Sequence, residues 1–265
     1  MRRSAVLFGE VMNLINFFKQ TVFRIYIKTP NSLLWERIGL DTRLNARKRV
    51  ANRYLQGEGI EIGALHNPLP LKKNVHVRYV DRLPLSELQK QYPELDPHRM
   101  VSLDTVDDGE TLSTITDDSL DFIIANHFLE HCENPIGTIR NHLKKVKTMG
   151  ILFYIIPEKT CTFDKEREIT EFNHLVDDDV IGTEISRNDH FHEYVKSVDK
   201  SKDQSDTDAQ VSALISKGYS IHFHVWDTAT LFQFFYKTNE YLDNPFTVIH
   251  FERNDAEVIV VLQKS

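Results

Sequence analysis

Between Gly57 and Pro157 the chain alternates short runs of β-branched and aromatic residues with stretches of helical spacing, and few folds accommodate that rhythm. "IEI" (60–62), "HVRYVD" (76–81), "RMVSLD" (99–104), "DFIIAN" (121–126) and "GILFYIIP" (150–157) read as five strands. Between the fourth and fifth, Ile136, Ile139, Leu143 and Val146 repeat at helical spacing. Strands this rich in Ile, Val and Phe bury both faces, which calls for a parallel sheet with helices on either side. The C-terminal "FTVIHFERNDAEVIVVLQK" reads as two strands about Arg253-Asn254-Asp255, a hairpin pattern. The expectation is an α/β fold: a doubly wound, mostly parallel seven-stranded sheet closed by a C-terminal antiparallel hairpin.

Residues 1–55 read mostly as a helical extension and 56–265 as the α/β domain, with a substrate-side insertion at about 158–220. Within the insertion, "KSVDKSKDQSDTDAQ" (196–210) is polar enough for a loop or an exposed helix edge, and a helix capped by Asp227 or Thr228 follows it. Val11, Ile15, Phe18, Val22 and Ile25 form one helical stripe, expected to pack on the core or on a second subunit. The sharper reading is peripheral membrane contact through residues 5–27. Glu10, Lys19 and Arg24 interrupt the apolar run, and no small-residue cleavage site follows, so neither a signal peptide nor a spanning helix is expected. A net charge of −7 argues against nucleic acid as a partner. Cys132 and Cys161 form no CxxC pair, which fits a reducing cytoplasm and packing rather than chemistry.

In an open parallel sheet, ligands bind outside the carboxyl ends of the strands. The first strand ends on Glu61 and Gly63, with Ala64 small enough to follow. The second ends on Asp81, then Arg82; the third leads through Asp104 to Asp107, Asp108 and Gly109; the fourth ends on Asn126 and His127. Asp81 is placed to accept two hydrogen bonds from a ribose diol. Asp108, with Asp104 as competitor, is placed to accept an adenine amine beside the Gly109 and Glu110 backbone. "GIEIGALHNPLPL" lacks GxGxxG, which argues against a dinucleotide oxidoreductase.

"ANHFLEHCENP" (125–135) is the most specific stretch. With Asp121, Leu129, Glu130, His131, Asn134 and Pro135 in place, it resembles the fourth-strand segment of class I S-adenosylmethionine-dependent methyltransferases. "MGILFYIIPE" is similar to the strand that follows, with Met149-Gly150 where that family often has Gly-Gly. The resemblance covers 57–160 and the closing hairpin. It implies a Rossmann-like sheet, S-adenosyl-L-methionine as cofactor, and a crevice of Glu61, Gly63, Ala64, Asp81, Arg82, Asp107, Asp108, Gly109, Asn126 and His127 to hold it. Some quinone-modifying members hold a divalent metal with a carboxylate three residues before a Glu-His pair. The matching positions are His127, Glu130 and His131, but His127 replaces the carboxylate, so a structural role for Glu130 and His131 is expected and no metal.

The insertion resembles the place where such enzymes carry substrate-specific residues. It is dense in Asp164, Arg167, His174, Asp177, Asp178, Arg187, His190, His192 and Glu193. A histidine titrates near working pH, and His174 and His190, then His131, are the candidates for a general base. The expected reaction is in-line methyl transfer to a sugar, glycan-related or other small hydroxylated acceptor. A quinone or other aromatic acceptor is the alternative, and a non-catalytic binding module with the same fold is the alternative of another class.

Overall fold

The computed structural model describes residues 42–199 and 204–265. The stripe of residues 11–25 and the membrane-contact reading of 5–27 lie outside the described residues. The chain divides into two units, Met1–Asn45 and Ala46–Ser265, and the sheet belongs to the second. Helix α1 (Thr42–Tyr54) leads into β1 (Gly57–Ile62), followed by β2 (Val75–Asp81), α2 (Leu85–Gln91), β3 (Thr105–Val106), β4 (Leu120–Asn126), α3 (Pro135–Lys145) and β5 (Val146–Pro157). The insertion contributes α4 (Phe172–Ile181), α5 (Glu184–Tyr194) and α6 (Gln204–Ser216). Helix α7 (Thr228–Tyr241) and the hairpin β6 (Phe246–Asn254) and β7 (Glu257–Lys264) close the chain.

The seven strands form one sheet in the order β3-β2-β1-β4-β5-β7-β6. β1 to β5 run parallel to one another, and β7 is antiparallel to both β5 and β6. The order reverses between β1 and β4, so the crevice beyond those two strand ends is the switch point where such sheets bind ligands. Register carries the strand ends there together: Ile62 pairs with Val80 on one side and with Ala125 on the other, so Gly63, Asp81 and Asn126 emerge side by side.

Alternation along each strand divides the core. Phe122 and Ile124 of β4, with Ile151, Phe153 and Ile155 of β5, face Val50, Ala51 and Leu55 around helix α1. Ile123 and Ala125, with Leu152, Tyr154 and Ile156, face Ile136 and Ile139 of α3 and Phe234 and Phe235 of α7. Helices α3 and α7 start where side chains satisfy free amides. Asn134 accepts from the Gly137 amide with Pro135 as first helical residue. Asp227 and Thr230 form a reciprocal capping box on α7.

One expectation is corrected. The third strand is not "RMVSLD" but the two residues after it, Thr105–Val106. The 3-10 turn at Pro97–Arg99 delays the chain, and Val101 instead donates its amide to the Leu65 carbonyl at 2.8 Å, bracing the turn after β1. The polar stretch 196–210 takes the helical one of its two expected forms from Gln204, where α6 begins, and Val211 just beyond it packs with Phe191, Val195, Ile221 and Phe223 in a small separate core.

Gly59 sits where a Cβ would meet both the ring and the carbonyl oxygen of Phe122 at 2.4 Å, so β1 lies against β4 with no space for a methyl group. Gly59→Ala is expected to cost about 1–3 kcal/mol through overpacking, read as a lower urea midpoint with an unchanged slope.

Candidate functional site

The turn after β1 is built by a buried carboxylate. Glu61 accepts the Leu69 amide on both oxygens, at 3.0 and 3.1 Å, and the Asn126 side-chain amide at 3.0 Å. Burial pushes its pKa up to about 7, against the opposing pull of those hydrogen bonds and of Arg47. Glu61 is therefore the post that holds the loop, and its carboxylate is spent on Leu69 and Asn126. The loop itself turns through left-handed residues, Gly63 at φ 65° and Leu65 at φ 48°. A Cβ on Gly63 would meet nothing within 4 Å, so space lies open there. Two buried polar atoms around this turn, His66 Nδ1 and Asn126 Oδ1, have no hydrogen-bond partner.

Asp81 is buried at the end of β2, where it accepts the Arg82 amide at 2.7 Å, and burial raises its pKa. Asp107 behaves differently. It accepts from Asp108 N and Ser113 Oγ on one oxygen and from Thr114 N and Oγ1 on the other, at 2.7–3.1 Å. Burial would raise its pKa, but the Thr114, Ser113 and Asp108 hydrogen bonds outweigh it and hold the carboxyl low. Asp107 thus folds its own loop. One oxygen of Asp108 caps the Glu110 and Thr111 amides at 2.8 and 3.1 Å, and Asp104 accepts the Tyr79 amide at 2.8 Å. Gly109 packs so closely under Phe128 that a Cβ would lie 2.6 Å from the ring, and its carbonyl accepts from buried His142 at 2.8 Å.

His127, at φ 49°, turns toward the hairpin. Its Nε2 lies 3.2 Å from Glu257 and 3.3 Å from Arg47, while Arg47 also donates to Glu257 through Nε at 2.7 Å. Burial would raise the pKa of Glu257, yet the Arg47 and His127 contacts hold it down at about 2. His127 keeps only a 3.7 Å ion-pair contact with Glu130.

Glu130 and His131 find a different third partner, His222, with ligand-capable atoms of the three all within 4.8 Å. Glu130 is buried, neither of its oxygens has a hydrogen-bond partner, and burial pushes its pKa up to about 7. His131 Nδ1 lies 2.8 Å from the Ile221 carbonyl, and its Nε2 lies 4.0 Å from Glu130. Burial and the neighbouring His222 pull its pKa down to about 3. His222 Nδ1 lies 2.6 Å from Asp164, which Arg167 grips at 2.9 Å. His222 lies 91 positions beyond His131 in the chain. It arrives on the extended segment 219–227, pinned where the Phe223 amide donates to the Glu130 carbonyl at 2.8 Å.

The same segment brings His224 to His174 and His190. His174 and His190 meet at 3.0 Å between their Nε2 atoms, His174 lies 3.3 Å from Asp178, and His224 lies 3.9 Å from Asp178. Burial drives the pKa of His190 down to about 4 and that of His224 well below the ordinary value, with neighbouring cationic groups adding to it, so both rings stay neutral. Of the remaining insertion residues, Arg187 clasps Glu133, Arg167 also binds Glu193, and His192 lies 3.7 Å from Asp208. His222, His224, Arg47 and Glu257 were not among the sequence candidates. The one signal for the first two is "HFH" itself; strict alternation would put both histidines on one side, whereas the structure sends them to different clusters.

The strand order and the closing hairpin are those of the class I, Rossmann-like methyltransferase fold. No family model and no curated protein sequence matches the chain. Solved structures of similar shape include a SAM-dependent methyltransferase of Thermotoga maritima described as a possible histamine N-methyltransferase. It is 16% identical over 96% of this chain and 99% of its own, with a TM-score of 0.47. The PH0226 protein of Pyrococcus horikoshii is 11% identical over 91% and 99% of the two chains, with a TM-score of 0.48. A SAM-dependent methyltransferase of Aquifex aeolicus is 10% identical over 87% and 96%, with a TM-score of 0.45. Likeness at this level carries nothing about substrate.

The pKa of Glu61 rises from 4.5 to about 7 on folding, so the folded chain binds this proton more tightly than the unfolded one. The stabilisation it contributes is complete below pH 4.5 and is lost as pH climbs through about 7. Glu61→Gln removes the ionisation and keeps an acceptor for Leu69. Measured by urea unfolding at the two ends of that window, the variant is expected to gain on wild type by on the order of 2 kcal/mol as pH rises.

Proposed function

We propose that the chain is an S-adenosylmethionine-dependent methyltransferase acting on a hydroxyl of a sugar, glycan-related or other small hydroxylated acceptor. The observation that carries the cofactor reading is the switch-point crevice. There Gly63 leaves open space, Asp81 ends the neighbouring strand, and His66 Nδ1 and Asn126 Oδ1 are buried polar atoms still lacking partners. A cofactor bearing an amino-acid head and a ribose has complementary groups for each. Gly63 and Ala64 would line its amino-acid end, and Asp81 with the Arg82 backbone its ribose diol. The loop Asp107-Asp108-Gly109 would border its base, with Asp107 shaping the loop and Asp108 nearest to a free acceptor. Asn126 and His127 would close the crevice at the end of β4. When bound, the cofactor supplies a methyl group on a sulfonium, already attached to a good leaving group.

What remains for the protein is to align a hydroxyl and to receive its proton. Of the three histidines, His131 belongs to the turn directly after β4, and it is the one we assign to this step. Its Nδ1 lies 2.8 Å from the Ile221 carbonyl and 3.0 Å from the Ser220 hydroxyl; with Nδ1 donating to the carbonyl, the lone pair sits on Nε2, which faces Glu130 at 4.0 Å. The density of Asp, His and Arg around the insertion supports a polyhydroxylated acceptor over a quinone. Residues 1–55 are read as a helical extension, from which Arg47 braces His127 and Glu257 beside the crevice.

Calorimetry with the methylated cofactor and its demethylated product tests the reading. Asp81→Ala and Gly63→Val are expected to lose binding by more than about tenfold while the chain stays folded, the latter because a β-branched side chain at φ 65° would also fill the open space. His131→Ala is expected to bind normally and to lose about 10²–10⁴-fold in turnover. A folded wild-type chain that binds neither form of the cofactor is instead a binding module, and the enzyme reading is then abandoned.

A further inference from the structure

The second histidine cluster has no part in the methyl-transfer scheme, and its geometry is that of a coordination sphere. His174 and Asp178 stand four residues apart on α4, so their side chains share one face. His190 reaches them from α5 and His224 from the extended segment before α7. One ligand-capable atom from each of the four lies within 4.8 Å of all the others. The separations of 3.0 Å between His174 and His190 and 3.3 Å between His174 and Asp178 lie at or just under the edge of a tetrahedron around zinc, about 3.3–3.5 Å for metal–ligand bonds of about 2.0–2.1 Å.

Hydrogen bonding among the four does not satisfy them. Asp178 Oδ2 and His224 Nδ1 are buried with no hydrogen-bond partner, although His174 Nε2 is only 3.3 Å from the first. An orphaned buried polar atom costs about 1–3 kcal/mol, and a shared cation removes such a cost. The surrounding shell is ordered as a metal site needs. Ser186 donates to the other Asp178 oxygen at 2.5 Å, and His224 Nε2 lies 3.2 Å from the Glu133 carbonyl. Asp178, His190 and His224 are buried, while the His174 side chain is 37% exposed and opens a way in.

We propose that His174, Asp178, His190 and His224 bind one zinc ion. Three imidazoles and one carboxylate suit zinc, and four protein ligands leave no open position, so the site is structural rather than catalytic. The ion ties α4 and α5 to the segment 219–227, and that segment also presents His222 and Phe223 to the end of β4. The site stands apart from the methyl-transfer reading, and zinc content can be measured whether or not the chain binds that cofactor.

The test uses the full-length, untagged chain. Elemental analysis is expected to find about one zinc per chain after dialysis. Chelation should lower the thermal midpoint by several degrees and added zinc should restore it, while Co²⁺ loaded in its place should show the visible bands of a tetrahedral nitrogen–oxygen site. Asp178→Asn and His224→Gln are expected to lose the metal. His174→Ala, at the ligand whose side chain is 37% exposed, is expected to weaken zinc binding by at least about tenfold with an unchanged circular dichroism spectrum. A folded wild-type chain with less than about a tenth of an equivalent, even after zinc is added, overturns the proposal. So does full zinc in His174→Ala together with its loss in His222→Ala, which assigns the ion to Glu130, His131 and His222 instead.

Discussion

The crevice depends on one buried carboxylate. Glu61 leaves the sheet inside the core and spends both oxygens on the amide of Leu69, eight residues on, while Asn126 of the neighbouring strand donates to one of them. Those contacts set the span of the turn and its position against β4. A glycine-rich loop reaches such a path through free backbone; this chain reaches it with one glycine, a left-handed Leu65, Pro68 and a carboxylate tether. Preorganisation by side chain replaces preorganisation by absence of side chain. The cost is a charge kept out of water, visible in the raised pKa.

The fold was largely legible because its central strands are buried on both faces and read as unbroken apolar runs. β1, β2, β4, β5 and the hairpin fall where their runs lie. β3 failed as an expectation because an edge strand of two residues has almost no pattern, and the apolar residues just before it serve the neighbouring turn. Met149 illustrates a smaller departure: it adopts φ 64° where the resembling family often has glycine, and Gly150 beside it leaves no room for a Cβ.

The site was legible only where it depends on strand ends. Gly63 and Asp81 could be found because the register of a parallel sheet delivers them to one place whatever the loops do. Asp107 and Asp108 stood in the right region, but a sequence does not say whether a carboxylate faces a ligand or folds its own turn. His222 and His224 were out of reach for another reason. Their partners lie between 34 and 92 positions away in sequence, and no periodicity links an insertion to the strand end it covers.

The segment 219–227 pairs with no strand and yet supplies both histidine groups, one from each side. Its position is set by backbone hydrogen bonds at three points: the Phe223 amide to the Glu130 carbonyl, the Thr170 amide to the Val225 carbonyl, and the Lys159 amide to the Trp226 carbonyl. That makes it a reading frame. Sliding by one residue would turn Phe223 toward one cluster and leave both without their histidine, so length there is as constrained as identity. Insertion or deletion of one residue along this stretch would dismantle two sites at once.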